Sequence, residues 1–122
     1  MKTVLIAEDD AVITNNLQKA LVRKGLDVLI ADNGIAAVKI IKEKEPPVLL
    51  LDINLPGLSG IKILEEIKNS ALPTKVIVIT GTFDSETERK SLELGAFAFL
   101  KKPFMIEVVF KLLGDLKLLP EL

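Results

Sequence analysis

The sequence contains no cysteine and no histidine. Without cysteine there is no disulfide framework and no report on the redox compartment. With both residues missing, the nitrogen and sulfur ligands that zinc prefers are missing too. There is no block of like charge either. The 16 Lys and Arg residues are spread along the chain against 17 Asp and Glu, for a formal net charge of -1. That distribution points to neither a nucleic-acid patch nor a basic amphipathic helix for a membrane surface. No apolar run approaches the length needed to span a bilayer, so no membrane insertion is expected. No N-terminal stretch combines basic residues, a long apolar segment and a small-residue cleavage site, and a cytoplasmic location is the default expectation.

What is present is a globular composition, with 49% hydrophobic and 27% charged residues over 122 positions. That length suits one domain with one proper core. Five short apolar runs read as strands: Thr3–Ala7, Leu26–Ala31, Val48–Leu51, Lys75–Thr80 and Ala96–Leu100. They are nearly continuous rather than alternating, as strands covered on both faces are.

Segments of helical period lie between the strands. The first places Ile13, Leu17, Ala20 and Leu21 on one stripe, with Asp10 as N-cap, Arg23 and Lys24 in the last turn and Gly25 as stop. The second follows Asn33-Gly34 and ends before Pro46-Pro47. The third begins near Ser59 and presents Ile63, Leu64 and Ile67. The fourth opens on Ser85-Glu86-Thr87-Glu88, which reads as a capping box, and the fifth starts after Pro103-Phe104. Strand and helix alternate five times, which implies parallel βαβ units with right-handed crossovers and helices on both faces of one sheet.

In such a sheet the site lies beyond the carboxyl ends of the strands. The first strand ends in Glu8-Asp9-Asp10, the third in Asp52 and the fourth in Thr80, and the fifth is followed by Lys101-Lys102-Pro103. Crowded carboxylates repel and raise one another's pKa values, and a divalent cation relieves that. A donor set of hard oxygens argues for Mg²⁺ or Mn²⁺. A threonine hydroxyl and a lysine beside such an ion suit charge stabilisation on a transferring phosphoryl group. The nucleophile would then be a carboxylate, and Asp52 is the candidate because it stands alone at the end of an apolar run.

Four pieces in order carry a resemblance: Val4-Leu5-Ile6-Ala7-Glu8-Asp9-Asp10, then Leu51-Asp52-Ile53-Asn54-Leu55-Pro56-Gly57-Leu58-Ser59-Gly60, then Val78-Ile79-Thr80-Gly81, then Gly95-Ala96-Phe97-Ala98-Phe99-Leu100-Lys101-Lys102-Pro103-Phe104. Over essentially its whole length the chain resembles the receiver domains of two-component response regulators, the chemotaxis receiver among them. The resemblance implies an α/β fold of (βα)5 type, a doubly wound five-stranded parallel sheet in the order 2-1-3-4-5 with flavodoxin-like topology. It implies one receiver domain over residues 1–122, with no output domain in the chain. Asp52 would accept the phosphoryl group from a phosphohistidine on a sensor histidine kinase or histidine phosphotransfer protein. The chain has no histidine of its own, so that residue must sit on another protein. Asp9 would bind Mg²⁺ directly, Glu8 mostly through water, and the Asn54 backbone carbonyl would complete the protein ligands. Thr80 and Lys102 would contact the phosphoryl oxygens, and the Lys102–Pro103 peptide would be cis.

The resemblance also implies a switch, in which Thr80 moves toward the phosphoryl group and Phe99 turns inward, reshaping the face of helix four, strand five and helix five. Helix four suits a moving part, since Glu86–Leu94 carries few large apolar residues. Plainer readings stand beside these. Asp10 is a helix cap, Thr80 can be an ordinary β-branched strand residue, Lys102 a solvated lysine and Phe99 a static core residue. The fifth helix is apolar beyond a single stripe. It is either deeply covered or offers a surface, with Phe99, Val109 and Leu113 as candidate contacts, for an output partner or a homodimer. Leu118–Leu122 would be a docking tail or a stub.

The chain departs from the family pattern in places. Phe97-Ala98 stand where a large class of DNA-binding regulators carries the acidic residues of a charged dimer. Phe99 replaces the frequent tyrosine, and Asn54 and Thr82 flank the expected phosphoryl site.

Three other functions compete. A phosphate-independent interaction module of the same fold need not retain Glu8, Asp9, Asp52, Thr80 and Lys102 together. A dehalogenase-type phosphatase needs a second Asp where Asn54 stands. A flavin or nucleotide binder wants a Gly- or Ser/Thr-rich phosphate loop where Glu8-Asp9-Asp10 would repel phosphate. Beyond its own phosphorylation and dephosphorylation at Asp52, no enzymatic activity is expected.

Overall fold

A computed structural model describes residues 2–81 and 84–119. Ten elements alternate: β1 (Thr3–Ala7), α1 (Ala11–Arg23), β2 (Asp27–Ala31), α2 (Gly34–Lys44), β3 (Val48–Asp52), α3 (Gly60–Asn69), β4 (Lys75–Thr80), α4 (Ser85–Glu93), β5 (Ala98–Lys101) and α5 (Ile106–Asp115). The strands form one sheet in the order β2-β1-β3-β4-β5, and every pairing is parallel. This is the doubly wound topology expected.

Successive side chains on a strand point to opposite faces, so each central strand feeds two cores. Leu5, Ala7, Leu49, Leu51, Val76 and Val78 face the core that holds Ala37 and Ile41 of α2 and Ile63, Leu64 and Ile67 of α3. Val4, Ile6, Val48, Leu50, Ile77 and Ile79 face the core that holds Leu17 and Leu21 of α1 and Val109 and Leu113 of α5. Each such Leu, Ile or Val side chain contributes about 1.5–3 kcal/mol by leaving water. The apolar runs of β1, β3 and β4 are continuous because both of their faces are covered, whereas the edge strands β2 and β5 stay partly exposed.

Helix starts follow the sequence closely. Asp10 Oδ1 accepts from the amides of Val12 and Ile13, Asn33 Oδ1 from Ala36, and the Ser59 hydroxyl from Lys62. The capping box expected at Ser85 is replaced by a cap one residue earlier. Asp84 Oδ1 accepts from the Glu86 amide at 2.9 Å, so Ser85 is already helical.

Two strands are shorter than the apolar runs suggest. The Leu26 amide donates to Leu21 O and the Ala96 amide to Ser91 O. Both groups close the preceding helix and are lost to the strand ladder.

One expectation fails outright. Val109 and Leu113 are fully buried against the sheet and offer no surface, so a homodimer through α5 would lack both as contact residues. An apolar helix does not declare which of its faces turns inward, and α5 leaves Met105, just before its start, and Val108 exposed instead. Leu118 and Leu119 fold back and are buried in the same core, while 120–122 lie outside the described residues. α4 is thinly docked, with Ser91 its one buried residue. Among the described residues, no helix is long and apolar enough to cross a membrane.

Candidate functional site

The strand order reverses between β1 and β3, which open the crevice where this architecture places its sites. Register then decides what meets there. Ala7 pairs with Leu51, so Glu8 follows on one strand as Asp52 follows on the next. Asp52 pairs with Ile79, one residue short of Thr80, and Thr80 pairs with Lys101, one residue short of Lys102. Residues far apart in sequence are thereby carried to one edge of the sheet.

Glu8, Asp9 and Asp52 each bring a carboxylate oxygen within 4.8 Å of the others, with Glu8 and Asp52 buried and Asp9 exposed. Lys102 reaches into this cluster. Its Nζ lies 2.6 Å from Glu8 Oε1 and 3.3 Å from Asp52 Oδ2. The second Glu8 oxygen accepts from the Asp10 amide at 3.1 Å, and Asp52 Oδ1 accepts from the Asn54 amide at 3.0 Å. The Asn54 side-chain amide donates to Thr80 Oγ1 at 3.5 Å, at the edge of hydrogen-bond range, and Thr80 is fully buried. The Lys102 amide donates to Thr80 O at 2.7 Å, and the Lys102–Pro103 peptide is cis.

The electrostatics show a cluster short of positive charge. Burial pushes the Glu8 carboxyl up from its ordinary value. Lys102 and the Asp10 amide pull it back, and the nearby Asp52 raises it further. Burial works against the Lys102 charge, but Glu8 and Asp52 outweigh it and hold the ammonium above its ordinary value. One lysine therefore serves two buried carboxylates, with a third beside them. The donor chemistry, all hard oxygen and net negative, fits a divalent ion such as Mg²⁺.

The predicted residues Glu8, Asp9, Asp52, Asn54, Thr80 and Lys102 converge. Asp10 stands aside as a cap. Phe99 is half-buried on β5 and packs on the α2–α3 side core, with Val78 as its ladder partner. Thr82 lies outside the described residues. Two features were missed by sequence reasoning. The Thr14 hydroxyl donates to the Glu8 carbonyl at 3.4 Å. Beside Lys102 opens a largely apolar cleft of about 630 Å³, walled by Ile13 and Leu17 of α1 and by Gly81, Pro103, Phe104 and Ile106. Its one sequence signal is that Phe104 and Ile106 follow Lys102-Pro103 directly.

Residues 4–113 match the family described as response regulator receiver domain. Over 107 residues the chain is 37% identical to a cyclic di-GMP phosphodiesterase of Thermotoga maritima, covering 88% of this chain and 28% of that protein. Over 104 residues it is 35% identical to the DNA-binding transcriptional regulator NtrC of Escherichia coli, covering 85% of this chain and 22% of that protein. A solved CheY-like response regulator receiver domain protein from Methanospirillum hungatei superposes with a TM-score of 0.89 at 29% identity, over 96% of this chain and 94% of that one. The chain spans less than half the length of such curated relatives, 28% of the phosphodiesterase and 22% of NtrC.

Proposed function

Because the chain belongs to the response regulator receiver domain family of two-component signalling, we propose that Asp52 is its phosphoacceptor, taking the group from a phosphohistidine on a sensor histidine kinase or phosphotransfer protein. The observation that carries this reading is the meeting of buried Asp52 with Glu8, Asp9 and Lys102 at the switch point of the sheet. In the transfer, a carboxylate oxygen of Asp52 bonds to phosphorus, the phosphorus–nitrogen bond breaks, and its electron pair stays on the partner's imidazole.

Glu8, Asp9, Asp52 and the Asn54 carbonyl are the groups that would hold Mg²⁺. When bound, the ion neutralises the crowded carboxylates and the equatorial phosphoryl oxygens. Lys102, kept protonated by its neighbours, supplies a further positive charge at the same place. The Asn54 amide steadies the Thr80 hydroxyl at the rim of the site. The apolar cleft between α1 and Phe104 supports docking of the donor protein beside Lys102.

The readout is a shift between two packings of the α4–β5–α5 face, carried by Thr80 and Phe99. The single buried residue of α4 supports this, since a thinly docked helix is cheap to move. The output itself lies with a partner or with sequence beyond this chain. Catalysis is confined to the phosphorylation and dephosphorylation of Asp52, in the cytoplasm.

Mass spectrometry after treatment with acetyl phosphate and Mg²⁺ tests the reading. An adduct of about 80 Da, the mass of an added HPO₃, is expected in the wild type and absent from Asp52→Asn. An adduct that survives in Asp52→Asn, or never forms in the wild type, would overturn it.

A further inference from the structure

The loop that leaves β3 after Asp52 is held at two places. At its neck, the Gly60 amide donates to Ile53 O at 3.0 Å, and the backbones approach so closely that a Cβ on Gly60 would stand 2.7 Å from Ile53 Cα. At its tip, the partner is α2. The Gly34 amide donates to Pro56 O at 2.8 Å. A Cβ on Gly34 would stand 2.2 Å from Leu58 O and 2.5 Å from Leu58 Cβ. Between these two contacts Gly57 takes φ +87°, a conformation that disfavours any side chain, and turns the tip over Asn33 and Gly34.

The α2 side of this contact is firm. Asn33 caps the helix, and Ala37 and Ile41 are buried in the core below. The loop side carries Asn54, two residues before Pro56. Leu55 between them is buried and, as the residue before a proline, has little conformational freedom. The tip is therefore joined to Asn54 by a short, constrained stretch, with the Asn54 amide held to Asp52 Oδ1 at its other side. Mg²⁺ tolerates little displacement of a ligand, because it demands near-ideal octahedral geometry at about 2.0–2.1 Å.

We propose that Gly34 is a positioning residue for the metal subsite: its bare backbone, wedged against Pro56–Leu58, sets where the Asn54 carbonyl stands. The proposal rests on the reading of Asn54 as a metal ligand. It assigns to α2, an element that contributes no group to the site, control over ion affinity. An added Cβ would meet a backbone oxygen, which cannot swing aside as a side chain would, so the loop must shift.

Thermodynamic reciprocity supplies a test that needs no mutation. If the clamp favours Mg²⁺, then Mg²⁺ must tighten the clamp by the same factor. By NMR hydrogen exchange, saturating Mg²⁺ is expected to slow the Gly34 amide of the wild type at least tenfold more than the Leu118 amide, which closes α5 at the far end of the sheet. Calorimetry on Gly34→Ala is expected to show Mg²⁺ affinity reduced at least tenfold, with acetyl phosphate labelling of Asp52 restored at saturating Mg²⁺. Equal slowing of the two amides would mean global stabilisation only and would overturn the clamp. So would wild-type Mg²⁺ affinity in a folded Gly34→Ala protein. If that variant does not fold, the wild-type exchange experiment decides alone. Failure of the wild type to bind Mg²⁺ at all would overturn the metal reading and the clamp with it, an outcome distinct from binding without protection.

Discussion

At the amino end of the sheet, α1, α3, α4 and α5 all finish the same way. A residue at positive φ (Gly25, Ala71, Gly95 or Lys117) lets the next amide turn back to the last turn of its helix, as Leu26 does to Leu21 O, Leu72 to Ile67 O, Ala96 to Ser91 O and Leu118 to Leu113 O. The helix carbonyls are satisfied by their own chain, and an apolar residue is pressed onto the core in each case. At the carboxyl end the order is reversed. Side chains cap α1, α2, α3 and α4, and between the helix starts lie two buried carboxylates and a third nearby, with Lys102 as the cation that Glu8 and Asp52 share. One end spends its polar groups on closing the fold, and the other leaves them poised for a ligand. Stability should therefore respond to changes at the first end and chemistry to changes at the second.

The largest test of that division is Leu113→Ala, which empties a fully buried position on the α1–α5 side. It should cost about 2–5 kcal/mol in urea unfolding. The fraction still folded should be labelled at Asp52 by acetyl phosphate as fully as the wild type. Loss of labelling per folded molecule would break the comparison.

A smaller effect of opposite sign is expected at Ser91. Its hydroxyl is fully buried and finds no hydrogen-bond partner among the described residues. Ser91→Ala removes that burden and should stabilise by about 1 kcal/mol. It should also bias α4 toward the packing described, so that stabilisation is accompanied by a weaker response of α4 to beryllofluoride in NMR shifts. Destabilisation would show that the hydroxyl is satisfied in solution.

Smaller again is Ala71→Gly. Ala71 sits at φ 51°, where an L-residue loses about 1–2 kcal/mol, against roughly 0.5–1 kcal/mol for the extra freedom of an unfolded glycine. A net gain below about 1 kcal/mol is expected in thermal melts, with labelling of Asp52 unchanged. A lower melting temperature would count against the left-handed turn.

The slightest effect is one of slope. Without Mg²⁺, folding raises the Glu8 pKa above its ordinary value of 4.5, chiefly by burial. Between those two values the folded chain binds more protons than the unfolded one, so stability falls as pH rises through the interval. Lys102 follows the same sign in an alkaline window. Its folded value lies above 10.5, so its contribution is complete below that pH and is lost only as pH rises beyond it. Melting temperatures of the wild type and Glu8→Gln, measured in chelator across mildly acidic pH, should diverge, the variant lacking the Glu8 decline. Parallel curves would show that Glu8 is not desolvated.

Much of the carboxyl end was legible in the sequence, because its signals are local. Glu8, Asp52 and Thr80 each terminate an apolar run, Lys102 precedes a proline, and parallel register does the rest. The caps at Asp10 and Ser59 are equally local. What escaped was relational. Val109 and Leu113 looked like surface because α5 is apolar on more than one side, and only the neighbouring sheet determines which side is covered. Ser85 looked like a cap because its neighbours fit the pattern, although Asp84 stands one step earlier with the same ability. The approach of Gly34 to Leu58 joins residues of two helix-entry loops, and no spacing rule announces it.

The Lys2 ammonium donates to the carbonyl of Lys117, and Leu119 is tucked beneath the same edge. Both tails of the described chain thus emerge side by side, behind the molecule, separated from the carboxylates by the height of a five-residue strand, about 17 Å. A tether, fluorophore or sensor chip joined at either tail would hold this protein from the rear, with the carboxylate-bearing rim facing outward.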